Sequence, residues 1–499
     1  MKASVTIGVL AIALLACSNS SQAQESILSS LDQLKQNLDL QEAMLDATAR
    51  DSVPAPSPAN SYVQQSQFVQ ASSCEDAGTS EVPLVCELPQ ESNCDADSKE
   101  SKVRVVDYFV GYDKGFVIRA FDKTKNPSSL KLNGWIQFRH HAFSRDEDSW
   151  TDNAGVVRPM RSRNAFDIER ARLVYSGTAL DSRSSYFLQL DGDTDGSHTV
   201  DFFDYWWGWR FSDSFQIQLG KRKVPASRQW LLTARRTRFV ERPMTNDFFR
   251  PDRTVGIFGV GKIGESIRYQ LMLGNGYSSS NLANSRTDEK FTIAATSSFD
   301  PLGDIGGSIV DESGESPFRL RLGHSMVYAA QKGSSAGQPL AETNYLRLSD
   351  GTRLAQIGAI DAGVTVSDVD VLLYGVDVAA KWNGWSFNAE YFARWIENLR
   401  GDGPLSIDEL FQQGYYVEGG RFLLPNQLDV NARYSQVMGE FGTSSEIALG
   451  ANWYPLSRPT SKVSVDVTAL DGSPLQNTAS DILAGDDGLL FRTQYQVEF

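Results

Sequence analysis

Leu489-Leu490-Phe491-Arg492-Thr493-Gln494-Tyr495-Gln496-Val497-Glu498-Phe499 says most about this chain. From Leu489 onward every second residue is apolar or aromatic (Leu489, Phe491, Tyr495, Val497, Phe499), interrupted only by Thr493. The residues between them, Arg492, Gln494, Gln496 and Glu498, are polar. Successive side chains of a strand point to opposite faces, so this segment has one apolar face and one wet face. A soluble sandwich could use such a strand as well.

The same texture runs back to about Lys131. Ala171, Leu173 and Tyr175 alternate with Arg170, Arg172 and Val174. Tyr186, Leu188 and Leu190 alternate with Phe187, Gln189 and Asp191. Phe203, Tyr205, Trp207, Trp209 and Phe211 alternate with Asp204, Trp206, Gly208 and Arg210, and Phe387 to Trp395 and Val463 to Ala469 repeat the pattern. In a sandwich the buried sets would face one another, and so many Tyr and Trp at strand ends would be out of place. They suit the aromatic girdles of a membrane barrel, and a last strand ending on Phe499 looks like the closing strand of an outer-membrane β-barrel. At roughly 23 residues per strand and connection, residues 131–499 hold about 16 antiparallel strands.

Composition agrees. The hydrophobic fraction is 41%, and after the first residues no apolar run approaches the roughly 20 needed for a helical span. Barrels escape hydropathy because only alternate residues meet lipid. Lys2 followed by Val5 to Ala16 reads as an export signal. Cleavage after Ser21-Gln22-Ala23, giving a signal peptide over 1–23, is favoured over a lipobox at Leu14-Leu15-Ala16-Cys17 that would lipidate Cys17.

Residues 24–50 carry Leu31, Leu34, Leu38 and Leu45 at helical spacing, which predicts a periplasmic α-helical extension. A short coiled coil is favoured over a lone amphipathic helix, since nothing adjacent would bury that stripe. Residues 51–102 form a polar neck with Pro54, Pro56 and Pro58. Its Cys74, Cys86 and Cys94 allow one disulfide with one thiol left over, and a zinc site is the rival reading. Residues 103–130 lead into the barrel as a small hairpin or plug-like element.

Three stretches resemble the phosphate- and polyphosphate-selective porin family of bacterial outer membranes. They are Phe166-Asp167-Ile168-Glu169-Arg170-Ala171-Arg172-Leu173, Leu219-Gly220-Lys221-Arg222-Lys223-Val224-Pro225, and Phe239-Val240-Glu241-Arg242-Pro243 with Phe249-Arg250-Pro251-Asp252-Arg253 beyond it. The Gly274-Asn275-Gly276 turn also fits. The resemblance spans roughly residues 130–280. It implies a 16-stranded trimeric porin with a pore lined by basic residues, often carrying a periplasmic coiled coil. The net charge of −15 departs from that expectation.

A pore selects by the charges at its narrowest ring rather than by its total charge. Between Arg158 and Arg253, Arg and Lys outnumber Asp and Glu. Arg170, Arg172, Arg319 and Arg321 fall on the polar face of their strands and should point into the lumen. Lys221, Arg222, Lys223, Arg228, Arg235, Arg236, Arg238 and Arg242 lie where a connection could fold into the pore, and Arg253 ends that stretch and joins the candidates. Planar guanidinium forks and lysine point charges together can replace part of the water around a phosphate. The bland alternative is that these cations meet lipopolysaccharide phosphates or pair with Glu169, Glu241, Asp247 and Asp252. By alternation Trp206 points inward, while Trp207 and Trp209 belong to a girdle.

Catalysis has almost no support. His140 and His141 are adjacent in a strand and face opposite ways, which disfavours a shared metal. Asp191-Gly192-Asp193-Thr194-Asp195-Gly196 resembles a calcium loop, but no Glu closes it. The expected function is passive diffusion of small anions, phosphate or oligophosphate first. The alternatives are a general or cation-preferring porin, or a barrel that mainly tethers the outer membrane to the cell wall. The expected partners are outer-membrane lipid and lipopolysaccharide, small inorganic anions, and further copies in a homotrimer. No nucleic acid, metal or cofactor is expected.

Overall fold

The structure, a computed structural model, describes residues 108–193, 200–277, 288–333 and 346–499. The readings made for residues 1–102 (export signal, helical extension, neck and cysteines) and for Thr194 to Gly196 lie outside the described residues.

Twenty strands are found among the described residues: β1 (Tyr108–Tyr112), β2 (Phe116–Ala120), β3 (Ser129–Arg145), β4 (Ser149–Thr151), β5 (Val157–Pro159), β6 (Arg163–Ala179), β7 (Asp181–Gly192), β8 (Val200–Ser212), β9 (Phe215–Lys223), β10 (Arg253–Ile263), β11 (Ile267–Asn275), β12 (Phe291–Phe299), β13 (Arg319–Lys332), β14 (Val366–Trp382), β15 (Trp385–Gly401), β16 (Leu410–Leu424), β17 (Leu428–Gly439), β18 (Gly442–Trp453), β19 (Ser461–Asp471) and β20 (Gly488–Glu498). Each strand from β6 to β20 pairs antiparallel with the next in chain order, and β3 pairs with β6. β20 closes the ring on β3, from Gly488 opposite Arg145 to Glu498 opposite Trp135. The result is a closed antiparallel barrel of 16 strands. The β1–β2 hairpin takes the positions on β3 just before those used by β20, with Phe116 opposite Leu132.

The alternation sorts the side chains as the pleat dictates. On β20, Leu489, Tyr495 and Val497 are exposed outward, whereas Arg492, Gln494 and Gln496 are fully buried inside. Exposed Leu271, Ile293, Met326, Val376, Tyr391 and Ile447 continue the outward set around the ring. Such a belt would be costly in water and forms the lipid face of a membrane barrel.

The two ends differ. At the end holding the chain terminus most turns are tight: Asn383 and Gly384 link Trp382 to Trp385 with positive φ of 46° and 82°, as a two-residue type I′ turn requires. At the other end lie long connections such as 224–252 and 472–487. Short turns mark the periplasmic side of such barrels. There the exposed Trp382, Trp385 and Trp453 form an aromatic girdle. The 300–318 connection is long for that side and folds inward, packing Ile309 and Val310 against Phe422 and Tyr454.

Three sequence expectations are overturned: Gly274 and Asn275 pair with Thr292 and Phe291 as the end of β11 instead of turning, Lys221 to Lys223 and Arg253 belong to β9 and β10 rather than to the connection between them, and the third concerns Phe203. Phe203 does not share the lipid face with Tyr205. The register shifts between Leu188 opposite Tyr205 and Leu190 opposite Phe202, leaving Phe203 and Asp204 together across from Gln189. This bulge turns Phe203 toward Arg172 and Arg253, with their guanidinium carbons 4.3 and 3.5 Å from its ring centre. Trp206 does point inward, stacked on Phe187 at 5.6 Å, and Trp207 is exposed outside.

Candidate functional site

Residues 224–252 leave β9 and return to β10, whose ends pair Lys223 with Arg253. Between them lie helix α1 (Arg228–Leu231), a 3-10 turn at Ala234–Arg236 and helix α2 (Met244–Phe249). Ser227 caps α1 by accepting a 3.1 Å bond from the Trp230 amide. Trp230, Phe239, Val240, Met244 and Phe249 are buried inside the barrel, and Phe249 stacks on Phe392 of β15 at 5.4 Å. The segment therefore crosses the lumen.

Its backbone has no sheet partner there, so the far wall must supply acceptors. Gln229 N donates to Glu390 Oε1 at 2.6 Å, Val240 N to Asp466 Oδ2 at 3.0 Å, and Met244 N to Glu446 Oε2 at 2.7 Å. Thr245 N donates to Ser435 Oγ at 3.0 Å. In return Arg433 donates to Glu241 O at 2.9 Å and Lys462 to Thr237 O at 3.1 Å. Four strands, β15 and β17 to β19, fix the segment through its own amides.

A buried charge cluster fastens its middle. Glu241 lies 2.5 Å from both Arg139 of β3 and Arg170 of β6. Arg139 also meets Asp481 at 3.0 Å and Glu169 at 3.3 Å. Burial alone would raise the Glu241 carboxyl, but Arg170 and Arg139 outweigh it and hold its pKa well below the ordinary range.

On the opposite face the segment and the near wall enclose a cavity of about 220 Å³. The Trp230 ring lies beneath four cations: Arg250 at 4.6 Å, Lys223 at 4.7 Å, Arg253 at 5.1 Å and Arg242 at 5.2 Å from its centre. Arg170, Arg172 and Lys221 complete the cationic lining, and Glu169, Asp191, Asp193, Asp201 and Asp252 also border it. Several of the cations are held in place by neighbours. Arg172 forks onto Asp191 at 2.8 and 2.6 Å, Arg253 meets Asp204 at 2.8 Å, and Lys223 donates to the Trp230 and Leu232 carbonyls at 2.7 and 2.8 Å. A second cavity, of about 270 Å³, is lined by Arg228, Arg268, Arg321 and Asp377.

Of the residues expected at the pore, Arg170, Arg172, Lys221, Lys223, Arg242 and Arg253 line the first cavity, and Arg321 lines the second. Arg222 lies over Phe258 at 5.1 Å and donates to Gln218. Arg235 and Arg236 meet Glu498 at 2.9 and 3.4 Å. Arg238 is buried, 3.6 Å from Glu418 and bonded to Asn431 and Ser386. Arg319, at the start of β13, donates to the Leu302 carbonyl. Sequence reasoning passed over Arg250 and Arg268 as pore residues. It also passed over Arg139, although its place between Gln137 and His141 on the inward side of β3 was there to be read.

A closed 16-strand barrel with an apolar outer belt and a charged segment across its lumen defines an outer-membrane porin. Residues 148–499 match the family described as phosphate-selective porin O and P, and the chain belongs to that family. None of the curated proteins matches the chain in sequence. Similar solved structures include an anion-selective porin from Comamonas acidovorans, at 13% identity, covering 74% of this chain and 100% of that one, with a TM-score of 0.47. The channel DcaP of Acinetobacter baumannii is 12% identical over 74% and 97% of the two chains, with a TM-score of 0.48. Salmonella typhi OmpF in complex with daunomycin is 13% identical over 78% and 100%, with a TM-score of 0.47.

Proposed function

We propose that this porin, working as a homotrimer, passes small anions down their gradients and favours phosphate or a short oligophosphate. The observation that carries this is the group of four cations over Trp230 on the segment that crosses the lumen. A flat apolar ring gathers these side chains at one place, where Arg250 also meets Asp247 at 3.4 Å and Arg253 meets Asp204 and Asp252 at 2.8 and 3.2 Å, so a compact oxyanion would exchange with carboxylates for their donors. The nearby Asp191 and Asp204 orient Arg172 and Arg253 and keep binding weak enough for release. The net charge of −15 includes residues far from this cavity and does not set its field.

The test is the reversal potential of the purified protein in a planar bilayer under a salt gradient, with phosphate added as a blocker. Anion preference with phosphate block at low concentration supports the reading. Cation preference, or indifference to phosphate, favours the general-porin alternative.

A further inference from the structure

On the outer surface, at the girdle end, a groove of about 990 Å³ runs over β14 to β18. Phe387, Val417, Tyr434 and Leu449 form its walls, and Gly419 and Ala432, paired across β16 and β17, form its floor. Two neighbouring glycines there have different reasons for being small. A Cβ on Gly420 would stand 2.0 Å from Asn431 Oδ1 and 2.6 Å from the Val430 carbonyl, so the packing forbids a side chain. A Cβ on Gly419 would come no nearer than 3.6 Å to anything outside its chain neighbours. The barrel itself has no need of glycine at 419, and its effect is to deepen the groove on the lipid side.

At the foot of the groove stands Arg421. It is exposed and makes no hydrogen bond or ion pair among the described residues; its guanidinium lies 5.1 Å from the centre of the Trp385 ring, and Val430 is paired with it on the other side. An arginine on a lipid-facing position costs about 2–4 kcal/mol at the bilayer midplane and about 0–1 near the interface, where it can reach headgroups. Trp382 and Trp385 mark this level as the interface of the periplasmic leaflet.

We infer that this groove is a site for a glycerophospholipid of the periplasmic leaflet, with the lipid phosphate on Arg421 and an acyl chain along Gly419 and Ala432. The positive charge without a protein partner matches the phosphate, and the uninterrupted apolar walls match the chain. A second copy of the protein would have to bring an acidic side chain to Arg421 to satisfy it equally well.

Native mass spectrometry of the detergent-purified full chain, back-titrated with phosphatidylglycerol, tests this. Wild type should retain one phospholipid per chain. Arg421→Ala should weaken retention about tenfold, the worth of one charge-assisted bond. Gly419→Leu should displace the lipid while Arg421 is intact. Bilayer conductance, which reads the interior, should stay at the wild-type level in both variants and shows that they are folded. Absence of bound phospholipid in wild type, or equal retention in all three proteins, overturns the proposal. So does a change of oligomeric state in the variants without lipid loss, which would place a second copy in the groove.

Discussion

Glu241, in the middle of the segment that crosses the lumen, and Arg139, on the first barrel strand, approach to 2.5 Å with both side chains out of water. Arg170 reaches the same carboxylate oxygen from β6. Removing one member of a buried pair strands the other charge, which costs about 3–5 kcal/mol. Glu241→Gln should therefore lower the melting temperature of the folded barrel and loosen the segment. The melt and the open-channel noise in single-channel recordings check this, and an unchanged melt with quiet channels would show that the amide contacts suffice.

The same pair sets a pH signature. Glu241 has a folded-state pKa below its unfolded value, so its stabilisation is complete above roughly pH 4.3 and fades as pH falls through the folded value. The difference in melting temperature between wild type and Glu241→Gln should persist at pH 5 and be lost only in stronger acid. Convergence already at pH 6 would mean that another group carries the effect.

For selectivity the informative positions are those around Trp230. Arg250→Ala and Arg253→Ala each remove one of its four cations, whereas Arg238→Ala removes a cation held at Glu418, outside the cavity. A lost charge-assisted contact of about 1.5–3 kcal/mol weakens phosphate block by roughly 10- to 100-fold. Block measured in bilayers should fall this way for the first two variants. For Arg238→Ala it should stay close to wild type, with the damage appearing in the melt.

Much of the barrel was legible because a strand has period two, and each outward apolar position carried its own signal. Leu489, Tyr495 and Val497 outside with Arg492 and Gln494 inside is the plainest case. The position of Phe203 was not legible, because a bulge adds one residue without changing composition; the only trace is the run Asp201-Phe202-Phe203-Asp204, which breaks the alternation. Within 224–252 the density of Arg and Lys marked the segment, but its short helices and turns have no common period to say which cation faces where. Arg238 turns to Glu418 and Arg250 to Trp230 for tertiary reasons alone.

The three tryptophans of β8 give a spectroscopic check on that register. Trp207 is exposed on the outer face, while Trp206 is stacked between strands on Phe187 and lies 5.7 Å from Arg222. Lipids brominated along their acyl chains quench only indoles that touch the hydrocarbon. Trp207→Phe should therefore reduce the quenchable fraction of the fluorescence in such vesicles, and Trp206→Phe should leave the quenched amplitude as in wild type. Phe203→Trp places a new indole under Arg172 and Arg253 on the lumen side of the bulge. Its added emission should resist brominated lipid and respond to aqueous iodide, an anion drawn to the same cations. Quenching of that indole by the lipid instead would return Phe203 to the outer face and remove the bulge from the account.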